Sequence, residues 1–144
     1  LEQPQAAAAA PDKPAAEGGV PQAESRAYEA ALNQFKLGNY PLAISAFQGF
    51  LVTYPSSRLA PSAQYWIGNA QYAKRDYRAS IATQRQLLKE FPDNSKVPDA
   101  MLNIASAQAD MGDNAAARRT LEELIAKYPK NNAGTRAKQR LGNR

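Results

Sequence analysis

The sequence predicts an all-α solenoid of three stacked helical hairpins plus a C-terminal capping helix, preceded by a linker. When the chain is laid over itself with a shift of 37 residues, Tyr54-Pro55, Phe91-Pro92 and Tyr128-Pro129 superpose. At the same shift Gly38-Asn39-Tyr40, Arg75-Asp76-Tyr77 and Gly112-Asp113-Asn114 coincide, as do Pro61 with Pro98 and Ile67 with Ile104. A fixed period of this size marks a repeat architecture, in which no unit can bury its apolar face alone and neighbours must stack. Between the marks run stretches with apolar residues at helical spacing.

Residues 1–23 are rich in alanine, proline and glycine and hold almost nothing large to bury, so they read as a disordered linker. Residues 24–144 read as the repeat domain, with repeats at 24–60, 61–97 and 98–134 and a cap at 135–144. In each repeat the first helix ends at Gly38, Arg75 or Gly112, because glycine adopts the left-handed conformation that closes many helices. Arg75 breaks that rule and predicts strain of about 1 kcal/mol if the turn persists. Asn39, Asp76 and Asp113 are placed to cap the second helices, which end at the aromatic-proline pairs. The second helix of the first repeat carries Ala43, Ile44, Phe47, Phe50 and Leu51 on one face, and that of the third carries Ala117, Leu121, Leu124 and Ile125. The middle one is weaker on this reading, since Ser80 and Gln84 stand in the two leading positions and leave Ile81, Leu87 and Leu88 to hold it. In the cap, Ala137 and Leu141 continue the apolar phase while Arg136, Lys138 and Arg140 are expected to face water.

Composition narrows the function. The 144 residues include neither cysteine nor histidine, which excludes disulfides, thiolate or imidazole metal sites and histidine-dependent triads. Glu122-Glu123 and Asp110-Asp113 are the remaining carboxylate pairs, and on helix surfaces or caps nothing would raise their pKa, so the chain is not expected to be an enzyme, to hold a cofactor or to bind a metal. No apolar run is long enough to span a bilayer, so no direct membrane insertion is expected. The net charge is +5; residues 1–25 carry four acids against Lys13 alone, a balance of −3 that leaves +8 for the rest. These cations are scattered rather than gathered in a stripe, which argues against nucleic acid as partner. Lys74, Arg75 and Arg78, like Arg118 and Arg119, read as solvated faces.

The residues resemble the tetratricopeptide repeat. Its small residue, alanine, aromatic and closing proline correspond to Ala31, Ala43, Phe47 and Pro55, then to Gly68, Ser80, Gln84 and Pro92, then to Ala105, Ala117, Leu121 and Pro129. Trp66 sits two residues late for the family tryptophan, Gln34, Gln71 and Gln108 occupy the family tyrosine position, and the period exceeds the usual ~34 residues. The long loops and the phrases AQYWIGNAQY, FPDNSKVPDAMLNIA and LEELIAKYPKNNA are similar to the periplasmic cell division coordinator family of the Tol-Pal system. That resemblance implies a right-handed superhelix and a periplasmic, non-enzymatic adaptor. The adaptor would bind TolA, and through the peptidoglycan synthase complex would coordinate wall synthesis with outer-membrane constriction. It also implies a signal peptide and an N-terminal coiled coil that makes the full protein a homotrimer, so that residues 1–23 would follow the coiled coil and the chain would be part of a longer one. Two alternatives stay open: a scaffold like the outer-membrane protein assembly lipoprotein of the same repeat class, and a structural oligomerisation module.

In such solenoids the first helices line a concave groove that receives a peptide or helix. Helical phase places Tyr28, Leu32, Phe35, Tyr65, Asn69, Tyr72, Leu102 and Ser106 toward it. Tyrosines there offer a large contact area with a polar tip, and Tyr65 and Tyr72 are expected to be open in the groove. Leu32, Phe35 and Leu102 could equally pack between repeats, and Trp66 is expected to do so. A clamp that holds a C-terminal carboxylate with lysines and arginines of the first helices is not expected, because the corresponding positions hold Ser25, Tyr28, Ser62, Tyr65 and Asp99.

Overall fold

The computed structural model describes residues 19–142. Its seven helices are α1 (Gln22–Lys36), α2 (Tyr40–Thr53), α3 (Ala60–Ala73), α4 (Tyr77–Glu90), α5 (Val97–Asp110), α6 (Asn114–Lys127) and α7 (Asn132–Gly142), with no strand among the described residues. The linker read at residues 1–23 lies, over 1–18, outside the described residues, and its last two residues already belong to α1. The pairs α1/α2, α3/α4 and α5/α6 form antiparallel hairpins, and α7 packs on α5 and α6.

Three identical turns build the hairpins. Gly38 and Gly112 have φ of 84° and 89°, and Arg75 adopts the same turn at φ 67°. In each, the residue after the left-handed position donates its N–H to the carbonyl of Gln34, Gln71 or Gln108 at 2.9 Å, closing the last turn of the first helix. Those glutamines, standing where the related repeats place tyrosine, also work through their side chains. Gln71 and Gln108 accept from Thr83 and Thr120 at 2.6 and 2.7 Å, fastening each first helix to its own second helix.

Capping differs from the sequence reading. Of Asn39, Asp76 and Asp113, only Asp113 caps with its side chain, accepting from Ala116 N at 3.1 Å. Asn39 and Asp76 make no such bond; Asn39 turns back and donates to Gln34 Oε1 at 2.9 Å. A second series of local bonds precedes the first helices: Ser57, Asn94 and Asn131 each accept from the N–H two residues on, at 3.0, 2.8 and 2.7 Å. These turns share the 37-residue spacing and bring the chain round into the next hairpin. Pro41, Pro61 and Pro98 occupy first-turn positions where no intrahelical N–H is needed.

The buried apolar residues fall into two clusters. One gathers Ala31, Ala43, Phe47 and Phe50 with Leu59, Ala63 and Ile67, from the first hairpin and α3. The other gathers Leu87, Met101, Leu102, Leu121, Leu124 and Ala137, from α4 to α7. Between them lies a layer of buried polar side chains from the middle hairpin. Ser80 and Gln84 are 0% exposed, so the weak face read in the sequence is an interior one held by hydrogen bonds. Ser80 Oγ lies 2.8 Å from the Gly68 carbonyl and 3.0 Å from Asn103 Oδ1, while Gln84 Nε2 donates to the Tyr65 carbonyl at 3.1 Å. Each such bond contributes about 1 kcal/mol net, and a polar group left bare there would cost about 1–3 kcal/mol.

Candidate functional site

Successive first helices touch, α1 on α3, α3 on α5 and α5 on α7, with no comparable packing of α2 on α4 or α4 on α6. The stack is therefore tighter on the side of the first helices, the side that forms the inner face in solenoids of this kind. A cavity of ≈ 140 Å³ opens there between α3, α5 and α7. Tyr65 comes from α3, and Leu102, Asn103 and Ser106 come from α5. Asp99, one turn earlier in α5, and Arg136 and Arg140 of α7 complete the wall.

Three of the residues that helical phase assigned to the groove, Tyr65, Leu102 and Ser106, thus share one cavity. Leu102 is 6% exposed and its side chain also belongs to the second apolar cluster. The other five sit around or behind. Tyr28 packs edge-on against Phe47 and Phe50 at 5.6 and 6.1 Å, and its hydroxyl accepts from Trp66 Nε1 at 3.0 Å. Phe35 lies 4.9 Å from the Trp66 ring, and with Leu32 it packs against the first cluster. The tryptophan is accordingly an inter-repeat packing residue, half-buried between α1 and α3. Asn69 donates to the Tyr65 carbonyl and accepts from Asn103 Nδ2 at 3.1 and 3.2 Å, so its amide belongs to the polar layer of the middle hairpin. Tyr72 is half-buried beside Tyr77, and its hydroxyl donates to the Asp110 carboxylate, joining α3 to the end of α5.

The environment of the two groove tyrosines differs. Burial raises the Tyr65 phenol above its ordinary value, and Lys96 sits over its ring at 5.2 Å from the centroid, a contact worth about 0.5–1 kcal/mol where solvent reaches it. The hydrogen bond to Asp110 pushes the Tyr72 phenol up to about 12, with burial adding to it. Neither is poised for proton transfer near neutral pH.

Sequence reading missed the contribution of α7. Arg136 stands one period after Asp99, and Arg140 one period after Asn103. Both arginines are exposed, yet rather than only facing water they line the cavity, and Arg140 Nη1 donates to Ser106 Oγ at 2.7 Å. The signal that could have found them is this same 37-residue shift carried into the cap. A second, larger concavity of ≈ 280 Å³ lies between α5, α6 and α7. It is lined by Ala105, Ala117 and Leu121 and shares Arg140 with the first, but it holds none of the predicted groove residues.

Comparison with known proteins agrees with this architecture. The family model YfiO, described as an outer membrane lipoprotein, matches residues 21–143. Two cell division coordinators CpoB of Pseudomonas putida, one from strain KT2440, are each 41% identical over 58 residues, which is 40% of this chain and 22% of the relative. The match therefore spans about a fifth of the length of these curated relatives. The helical repeats are of the tetratricopeptide type and resemble a domain of those coordinators. With a match that runs from the start of α1 through α7, the chain belongs to the YfiO outer membrane lipoprotein family.

Proposed function

We propose that this chain is a non-enzymatic, protein-binding adaptor of the bacterial cell envelope. It works in the periplasm, holds a helical segment of TolA against the concave face of its first helices, and so helps to coordinate peptidoglycan synthesis with outer-membrane constriction in cell division. The observation that carries this reading is the open cavity on the inner face, with Tyr65 and Leu102 beside amide and hydroxyl groups of Asn103 and Ser106. Such a mixture suits an amphipathic helix, whose apolar side needs contact area and whose polar side needs hydrogen bonds. The likeness to the division coordinators supports the choice of TolA and of the division machinery. A second reading, a scaffold for outer-membrane protein assembly, is favoured by the description of the family that the chain matches.

Calorimetric titration of the 144-residue chain with the helical middle domain of TolA tests the proposal. Binding at micromolar strength or better, lost in Tyr65→Ala while the circular dichroism of a folded helical protein is kept, is the expected result. A folded wild-type chain that takes up no heat removes TolA as the direct partner.

A further inference from the structure

We infer that the cavity between α3, α5 and α7 is a seat for a carboxylate, and that the segment bound in the groove is an acidic helix placing an aspartate or glutamate side chain between Arg136 and Arg140. The inference deepens the groove-binding reading and rests on it.

Arg136 and Arg140 are four residues apart on α7 and share a face of that helix. Like charges at this spacing repel, and neither makes an ion pair among the described residues. Arg140 is nonetheless held in place by Ser106 at 2.7 Å, so one guanidinium is already oriented before a ligand arrives. Lys96, over the Tyr65 ring, adds a third cation at the rim. Asp99 is the only carboxylate of the cavity wall, which leaves a local excess of positive charge.

The floor is prepared as well. Asn103 Oδ1 is engaged by Ser80 Oγ at 3.0 Å and Gln84 Nε2 at 3.3 Å, and its Nδ2 donates to Asn69 Oδ1 at 3.2 Å. Its carbonyl end is thereby engaged within the polar layer, and Nδ2 keeps a second N–H, a donor for an anion and not an acceptor. Two guanidinium groups and an amide N–H around a space of ≈ 140 Å³ match the acceptor-only chemistry of an ionised carboxylate. The cavity is open to solvent and partly apolar through Tyr65 and Leu102, which suits a side chain carried on a helix.

The test uses a fluorescently labelled, leucine-containing helical peptide with one central glutamate, and its glutamine twin, titrated by anisotropy. The glutamate peptide is expected to bind about tenfold more tightly, a difference of ~1.4 kcal/mol. That preference should vanish in Arg136→Gln/Arg140→Gln, grow in Asp99→Asn, and survive in Arg78→Gln/Arg85→Gln, which removes the same charge from the exposed surface of α4. Equal affinity for the two peptides, no binding of either, or a preference undiminished by the Arg136/Arg140 pair would overturn the inference. Titration with the TolA domain in the same buffer separates the two readings. Discrimination between the peptides without TolA binding removes TolA and keeps the seat, whereas TolA binding without discrimination removes the seat alone.

Discussion

Gly68 and Gln84 fit into one another: a Cβ added to Gly68 would lie 2.1 Å from Gln84 Nε2 and 2.9 Å from its Cγ. The other repeats pair Ala31 with Phe47 and Ala105 with Leu121 at these positions. In the middle repeat the missing methyl group lets the amide cross the bare backbone of α3 and reach the Tyr65 carbonyl and Asn103.

Gly68→Ala should therefore destabilise the fold by roughly 1–3 kcal/mol through overpacking. Gln84→Ala should cost about 2 kcal/mol, because it opens a cavity at a fully buried position and removes the bonds to the Tyr65 carbonyl and Asn103. The double variant should be more stable than the sum of the two losses predicts, with a coupling of about 0.5–3 kcal/mol. Urea denaturation of the four proteins measures it, and strictly additive losses would contradict the interlock.

At the middle turn, Arg75 occupies a conformation for which the first and third repeats use glycine. Arg75→Gly should raise stability by up to about 1 kcal/mol, offset in part by glycine's greater freedom when unfolded. Gly112→Ala should lower it by a comparable amount. Urea midpoints at constant slope report both, and a fall in Arg75→Gly would show that the arginine side chain has a role outweighing the strain.

The hydrogen bond from Tyr72 to Asp110 holds the phenol proton in the folded state up to about pH 12, against an ordinary pKa of 10.0. Between these values the unfolded chain binds fewer protons than the folded one, so the stabilisation is complete below pH 10 and is lost as pH rises toward 12. Tyr72→Phe should remove that stabilisation at neutral pH and flatten the alkaline decline. Denaturation at a series of alkaline pH values checks this; an unchanged slope in the variant would mean that the bond does not form in solution.

How far the sequence discloses all this depends on whether a feature lives within one helix or between several. The turns at Gly38, Arg75 and Gly112 are local backbone requirements and can be read directly, including the strained one. The packing of Trp66 follows from its neighbours Ile67 and Gly68. Ser80 and Gln84 could not be read as interior residues, since their partners Asn103 and Tyr65 come from other helices and a polar residue without visible partners looks like an outward one. Arg136 and Arg140 were hidden for a related reason: a capping helix seen alone shows charges facing solvent, and only its stacking on α5 turns that face along the groove. Asn39 and Asp76 had the right chemistry for caps, and Asn39 instead found a partner in Gln34.

The polar layer of the middle hairpin leaves the protein with two oily compartments in series. In a chain whose repeats touch only their neighbours, cooperativity passes from one end to the other through such junctions. Here the junction is made of directional bonds rather than of interchangeable hydrocarbon, so it is specific in register but yields in a single step once its few bonds are broken. The seam between α3 and α5 is where a pull along the solenoid would first be felt.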